Sequence, residues 1–130
     1  MKKLLVLLFA VALFAAEFDW IESYEKALKL AKKEHKPIMV MISQKNCITC
    51  QYMDDVAFEN EELAEYVENN FIPLKIKLKD APKYNLKAYG TPTFYFLNEK
   101  GERLTRALVG GATAKVFLEK LKEIKEKYAH

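Results

Sequence analysis

Two cysteines, Cys47 and Cys50, are the residues of this chain whose type and spacing best suit chemistry. They are the only cysteines in the sequence, and they form the motif Cys-Ile-Thr-Cys. Two thiols at this spacing can cycle between a dithiol and a disulfide, in which the thiolate of one cysteine is the attacking group. The motif therefore predicts a reversible redox pair.

The pair lies where an apolar run gives way to a helical pattern. Residues 37–42 are short, apolar and free of glycine, which is typical of a buried strand. After the pair, Met53, Val56 and Ala57 recur at helical spacing, which predicts a helix. Cys47 would then lie at a helix N-terminus, where free backbone N–H groups and the helix dipole favour a thiolate.

Hydrophobic periodicity predicts the other elements of the domain. They are a helix over residues 20–33, a helix capped by Asn60, a strand over 71–78, a short helix or turn over 80–88, strands over 94–97 and 102–109 joined by a turn, and a helix from about Thr113. Strands separated by helices imply a parallel crossover, and the hairpin implies an antiparallel edge. The expected fold class is α/β, with a mixed central sheet and helices on both faces.

Some faces of these elements can also be predicted. In the strand over 71–78, Lys75, Lys77 and Lys79 alternate with apolar residues, so they are expected to form its solvated side. The last helix presents a row of apolar side chains at helical spacing: Val116, Phe117, Leu118, Leu121, Ile124 and Tyr128.

The N-terminal segment has the three parts of a secretory signal peptide. Met1-Lys2-Lys3 is basic, residues 4–14 are apolar, and Ala15-Ala16 are small. The apolar part is too short to span a bilayer comfortably. We expect a signal peptide over residues 1–16, one domain over residues 17–130, and a periplasmic or secreted protein, with a retained N-terminal anchor as the alternative.

The charge pattern argues against nucleic acid as a partner. The chain has 21 Lys and Arg residues against 18 Asp and Glu residues, and removal of residues 1–16 leaves 19 against 18. Lys and Glu alternate along the predicted helices and form no basic patch. We expect a nearly neutral, monomeric domain that does not bind nucleic acid.

Other uses of the two cysteines fit the sequence less well. A structural disulfide that closes four residues would stabilise the fold by only about 2 kcal/mol, which makes this spacing a poor choice for a staple. A structural zinc site needs four ligands, and only His35 and His130 are available besides the cysteines. Copper(I) needs only two thiolates, so a copper(I) carrier stays open as an alternative, as does a binding module without redox turnover. We expect no metal and no organic cofactor, because the disulfide itself carries the electrons and no nucleotide-binding loop is present.

Three motifs resemble the thioredoxin-fold family over residues 18–128. They are the strand leading into Cys47-Ile48-Thr49-Cys50, the segment Ala81-Pro82-Lys83-Tyr84, and Gly90-Thr91-Pro92-Thr93 before the hairpin. Trp20, the helix over 27–33, Lys36-Pro37 and the acidic helix after the cysteines are similar to the C-terminal domain of the membrane thiol:disulfide interchange protein and its stand-alone relatives.

The resemblance implies a thioredoxin fold and a thiol:disulfide oxidoreductase. Such a protein would reduce or exchange disulfides in exported partner proteins, and it would need an upstream thiol electron donor, which could be membrane-bound. By the same resemblance, Cys47 is the exposed nucleophile, Cys50 is the buried resolving thiol, and Pro92 is a cis-proline whose loop faces the disulfide. Ile48, Thr49, Thr91 and Pro92 are then the expected substrate contacts.

The chain also departs from the family pattern. Met41 stands where thioredoxin buries an aspartate, so the proton acceptor for Cys50 would have to be Glu59, Asp54 or water. Lys45, two residues before the first cysteine, is either an electrostatic support for the thiolate or a solvated loop residue.

Overall fold

The computed structural model describes residues 18–129. The predicted signal peptide over residues 1–16 lies outside this range, as does His130. The strands are β1 (Ile38–Ser43), β2 (Ile72–Lys77), β3 (Thr93–Leu97) and β4 (Leu108–Val109). The helices are α1 (Tyr24–Glu34), α2 (Ile48–Tyr52), α3 (Glu61–Asn70) and α4 (Ala114–Tyr128), with a π-helical segment (Met53–Ala57) after α2 and a 3-10 helix (Leu78–Tyr84) after β2. Among residues 18–129, no helix has the length and apolar character needed to cross a membrane.

The four strands form one mixed sheet in the order β2-β1-β3-β4. β1 pairs in parallel with β2 and antiparallel with β3, so that Val40 lies between Leu74 and Tyr95. β3 pairs antiparallel with β4. The predicted element order, the parallel crossover and the antiparallel edge are confirmed.

Alternation along the strands divides the buried side chains between two cores. Met39, Met41, Phe94 and Phe96 face a first core, which α3, α4, Cys50 and the π-helical segment complete. The other face of the sheet carries a second core, which is aliphatic except for Tyr95 and is covered by α1 and the 3-10 helix: Ile38, Val40, Ile42, Ile72, Leu74, Ile76, Tyr95 and Leu97. Helices therefore cover both faces, as predicted.

Side-chain caps determine where three helices begin. Ser23, Asn60 and Thr113 each accept a hydrogen bond from the backbone N–H three residues later. Asn60 is the predicted cap. Because Ser23 caps α1, this helix begins at Tyr24 and not at Trp20, which was predicted to lie within it.

The region after the cysteines differs from the prediction of one regular α-helix. The Phe58 N–H donates to the Met53 carbonyl at 2.8 Å, an i to i+5 hydrogen bond that defines the π-helical segment. The wider turn keeps Met53 and Ala57 buried but turns Val56 outward, where 54% of it is exposed. Helical spacing in the sequence therefore does not show that Val56 lies outside the core.

Two further predictions were wrong in part. The strand expected over residues 102–109 is reduced to Leu108–Val109 and an isolated bridge between Leu97 and Arg103. Between them, the Thr105 hydroxyl donates to the Arg106 carbonyl, a local bond that competes with strand pairing. In α4, Val116 is exposed because it lies in the first turn, on the side away from the buried Phe117 and Leu118.

Candidate active site

Cys47 and Cys50 form a disulfide at the start of α2, with their Cα atoms 5.2 Å apart. Cys47 is the N-cap residue, as predicted, and its Sγ accepts the Cys50 N–H at 3.2 Å. Cys47 is half-buried, whereas only 3% of Cys50 is exposed and its side chain belongs to the first core. One sulfur can thus be approached from solvent, while the other is enclosed.

The loop before β3 lies against the disulfide. Its Thr91–Pro92 peptide bond is cis. Thr91 Oγ1 is 3.2 Å from Cys47 Sγ, and the Thr91 carbonyl oxygen is 3.4 Å from the same sulfur. The loop is held by the Thr93 hydroxyl, which donates to the Gly90 carbonyl at 2.7 Å, and by the Gly110 N–H, which donates to the Pro92 carbonyl at 2.8 Å. The structure therefore brings together residues 44 positions apart in sequence, as the resemblance implied.

Three exposed apolar side chains lie between the cysteines or next to this loop in sequence or strand register. Ile48, between the two cysteines, is 84% exposed. Tyr89 precedes the loop and is 98% exposed, and Val109, whose Cα pairs with Thr93, is 76% exposed. Ile48 was predicted from the sequence, whereas Tyr89 and Val109 were not. Tyr89 could have been found from its place two residues before Thr91, but Val109 depended on the strand register.

Thr49, the other residue between the cysteines, packs close to the loop before α4. A Cβ added to Gly111 would lie 2.8 Å from Thr49 Cγ2 and 3.3 Å from Met53 Sδ. The next residue continues this contact, since the Ala112 N–H points at Met53 Sδ at 3.5 Å. A glycine at 111 is thus what allows the loop to approach α2.

The candidate proton acceptors lie on a small cavity of about 310 Å³ next to the π-helical segment. Asp54 and Glu59 both line it, together with Trp20 and Lys75. The Asp54 carboxylate is paired with the Lys75 ammonium, which also lies 5.0 Å from the centroid of the Trp20 ring. Lys75 was predicted to face solvent. This prediction was wrong, because an acidic and an aromatic residue from neighbouring elements cover it.

The two remaining polar candidates, Lys45 and His35, form no charged cluster with other residues in the described part of the chain. Lys45 and His35 are exposed, and neither forms an ion pair within residues 18–129. In the same part of the chain, no three His, Cys, Asp or Glu side chains gather where they could hold a metal ion.

Residues 24–125 match the family model of the thioredoxin-like domain. The chain belongs to the thioredoxin-like domain family. The family resemblance predicted from the sequence is therefore confirmed. A thioredoxin-like domain that carries two cysteines in a CxxC motif has the architecture of a thiol:disulfide oxidoreductase.

Solved structures confirm the thioredoxin fold. A Bacteroides thetaiotaomicron protein, provisionally named a disulphide-isomerase, is 31% identical with a TM-score of 0.69, and the match covers 87% of this chain and 97% of that chain. The oxidised C-terminal domain of Neisseria meningitidis DsbD is 18% identical with a TM-score of 0.64, and the match covers 81% and 98% of the two chains. This second likeness concerns the fold alone.

Curated relatives match over part of their length. The disulfide bond reductase DsbH of Chlamydia pneumoniae is 27% identical over 106 residues, which cover 71% of this chain and 63% of DsbH. Spermatogenesis-associated protein 20 of Rattus norvegicus, Mus musculus and Homo sapiens is 30–33% identical over 73 residues. The match covers 56% of this chain but only 9% of the length of those proteins.

Proposed function

We propose that this protein is an exported thiol:disulfide oxidoreductase that reduces or exchanges disulfides in partner proteins. The observation that carries the proposal is the disulfide between a half-exposed Cys47 and a buried Cys50, beside the Thr91–Pro92 loop. An exposed sulfur can be attacked by, or can attack, a second molecule, while an enclosed sulfur next to it can react only within the chain.

The reaction starts from the reduced pair. The Cys47 thiolate attacks one sulfur of a partner disulfide, whose S–S bond breaks, and the departing sulfur takes up a proton. Cys50 then loses its proton and attacks Cys47 Sγ, which releases the second partner sulfur as a thiol. The partner gains two electrons and two protons, and Cys47 and Cys50 become a disulfide. A dithiol electron donor must then reduce this disulfide for the next cycle.

The substrate surface consists of Ile48, Thr49 and Thr91, extended by Tyr89 and Val109. Pro92, which the resemblance also implied as a contact, is buried beneath this surface. Exposed apolar side chains around the accessible sulfur suit an extended, partly unfolded polypeptide that carries a disulfide. The name of the Chlamydia pneumoniae relative, disulfide bond reductase, supports the reducing direction.

The signal-peptide pattern of residues 1–16 supports export, with a mature domain that starts at residue 17 and acts as a monomer in the periplasm or outside the cell. The partners would then be exported proteins with disulfides and a thiol donor, which could be a membrane protein.

The decisive experiment is the reduction potential of the Cys47–Cys50 pair, measured by counting free thiols in defined dithiol/disulfide buffers. A value near the roughly −270 mV of thioredoxin supports a reductase, and a value near roughly −120 mV would instead indicate an oxidant of exported proteins. A pair that never cycles would refute the oxidoreductase and bring back copper(I) carriage or simple binding.

Variants of the two cysteines test their separate roles. Cys50→Ala should trap a mixed disulfide between Cys47 and a model substrate protein, because the resolving thiol is gone. Cys47→Ala should form no such adduct, because Cys50 is enclosed. Non-reducing electrophoresis and intact-mass measurement detect the adduct, and adducts through Cys50 would contradict the assignment.

A further inference from the structure

A chain of two hydrogen bonds leads from Gln44 to the accessible sulfur. The Gln44 side-chain amide donates to Thr91 Oγ1 at 2.9 Å, and the Thr91 hydroxyl donates to Cys47 Sγ at 3.2 Å. Gln44 comes directly after β1, in the loop that leads to Cys47, so the chain joins two loops on the same side of the disulfide. No sequence pattern indicates a role for Gln44.

The direction of the first bond determines the direction of the second. An amide nitrogen only donates, so it occupies a lone pair of Thr91 Oγ1 and leaves the single hydroxyl proton free for the sulfur. A group that accepts a hydrogen bond at the position of the Gln44 amide would compete with Cys47 Sγ for that proton.

We propose that Gln44 is a positioning residue that directs the Thr91 hydroxyl at Cys47 Sγ and thereby stabilises the attacking, reduced form of that cysteine. A hydrogen bond to sulfur favours a thiolate over a neutral thiol or a disulfide, because the thiolate carries the full negative charge. This inference rests on the proposed function, because it concerns the reactivity of the same sulfur.

The other groups near this sulfur leave the hydroxyl a distinct role. The Cys50 N–H, at 3.2 Å, also donates to Cys47 Sγ, whereas the Thr91 carbonyl oxygen, at 3.4 Å, offers no donor. The charged neighbour Lys45 is exposed, and it forms no ion pair within residues 18–129. The hydroxyl is thus the one side-chain donor that the structure aims at the sulfur within the described residues.

The test uses two variants of nearly the same length as Gln44. Gln44→Met keeps the side-chain bulk but has no donor, and Gln44→Glu presents oxygens that accept the hydroxyl proton. In both, the equilibrium with glutathione should shift toward the disulfide by about threefold to tenfold, the range of one hydrogen bond. Ultraviolet titration of the reduced protein should show a higher pKa for the Cys47 thiol.

The Thr91→Val background separates positioning from general effects. Without the hydroxyl, Gln44→Met should change neither the glutathione equilibrium nor the titration, and Gln44→Glu should retain only the effect of its charge. Thermal unfolding is recorded for every variant, because a purely structural link between the loops would lower stability without moving the equilibrium.

The two proposals can fail separately. If the wild-type pair cycles but Gln44→Met shifts the equilibrium equally with and without the Thr91 hydroxyl, or does not shift it, the positioning role is refuted while the oxidoreductase stands. If the wild-type pair does not cycle, both proposals are refuted.

Discussion

Both carboxylate oxygens of Asp54 lie within hydrogen-bonding distance of Lys75 Nζ, at 2.9 and 2.8 Å. Lys75 lies across the parallel strands from Met41, which the resemblance to thioredoxin aligns with a buried aspartate. The lysine thus finds its carboxylate on the π-helical segment and not on β1. This pair connects β2 to the segment that follows the cysteines, and the side chains are only 31% and 26% exposed.

Asp54→Asn should lower the free energy of unfolding by about 1 kcal/mol, because it removes a charge-assisted pair and leaves the Lys75 ammonium half-covered. Denaturant unfolding measures the change. Asp55→Asn is the matched control, since Asp55 is exposed and forms no ion pair in the described part of the chain. Equal losses in the two variants would contradict the structural importance of the Asp54–Lys75 pair.

The exposed apolar surface should matter for large substrates only. Ile48→Ser and Tyr89→Ser should each lower kcat/KM for an unfolded protein disulfide by about threefold, since an apolar contact of roughly 0.7 kcal/mol is lost. Turnover of a small aromatic disulfide reports the reactivity of Cys47 itself and should change little. Equal effects on the two substrates would mean that these side chains tune the sulfur and do not bind the chain.

Gly111→Ala should destabilise the protein by about 1 kcal/mol, because the new methyl group would crowd Thr49 and the fully buried Met53. Gly90→Ala is the control, since a Cβ at residue 90 meets nothing within 4 Å. Thermal unfolding compares the two. A neutral Gly111→Ala would show that the loop before α4 moves away at little cost.

Tyr128→Phe should raise the pKa of Glu99. The Glu99 carboxylate accepts a hydrogen bond from its own backbone N–H and another from the Tyr128 hydroxyl at 3.2 Å, and both lower its pKa. The backbone bond is the larger cause, so the pKa should remain below its ordinary value in the variant. Carboxyl NMR shifts measured against pH report it, with Tyr52→Phe as control.

The sign of this effect on stability follows from linkage. A pKa that is lower in the folded protein contributes stability above the ordinary carboxyl pKa, and this stability is lost as pH falls through the lowered value. Tyr128→Phe should therefore slightly reduce the free energy of unfolding at neutral pH. It should also shrink the pH window between the folded and unfolded pKa values of Glu99, over which this contribution is lost. An unchanged Glu99 titration would contradict the contribution of Tyr128.

The sequence predicted features that depend on local periodicity and capping. The strands β1 and β3, the Asn60 cap and the placement of Cys47 at a helix start were all predicted, since each depends on neighbouring residues. The outward turn of Val56 was not, because an α-helical period does not reveal a π-helical segment.

Features that depend on tertiary contacts were also missed. The covered position of Lys75 requires Trp20 and Asp54, which come from two other segments. The link from Gln44 to Thr91 joins loops 47 residues apart. No pattern within one segment carries this information.

Cys50 is at once a reacting group and a core residue, so the redox equilibrium and the folding equilibrium form one thermodynamic cycle. A substitution in the first core that affects the oxidised and reduced proteins unequally must change the potential by the same free energy, with 30 mV for each ~1.4 kcal/mol. Substitutions of Met53 or Phe117, which belong to this core, can therefore change the reduction potential of the cysteine pair without any contact with a substrate. Packing, as much as the residues around the sulfur, gives this domain a means of evolving its redox range.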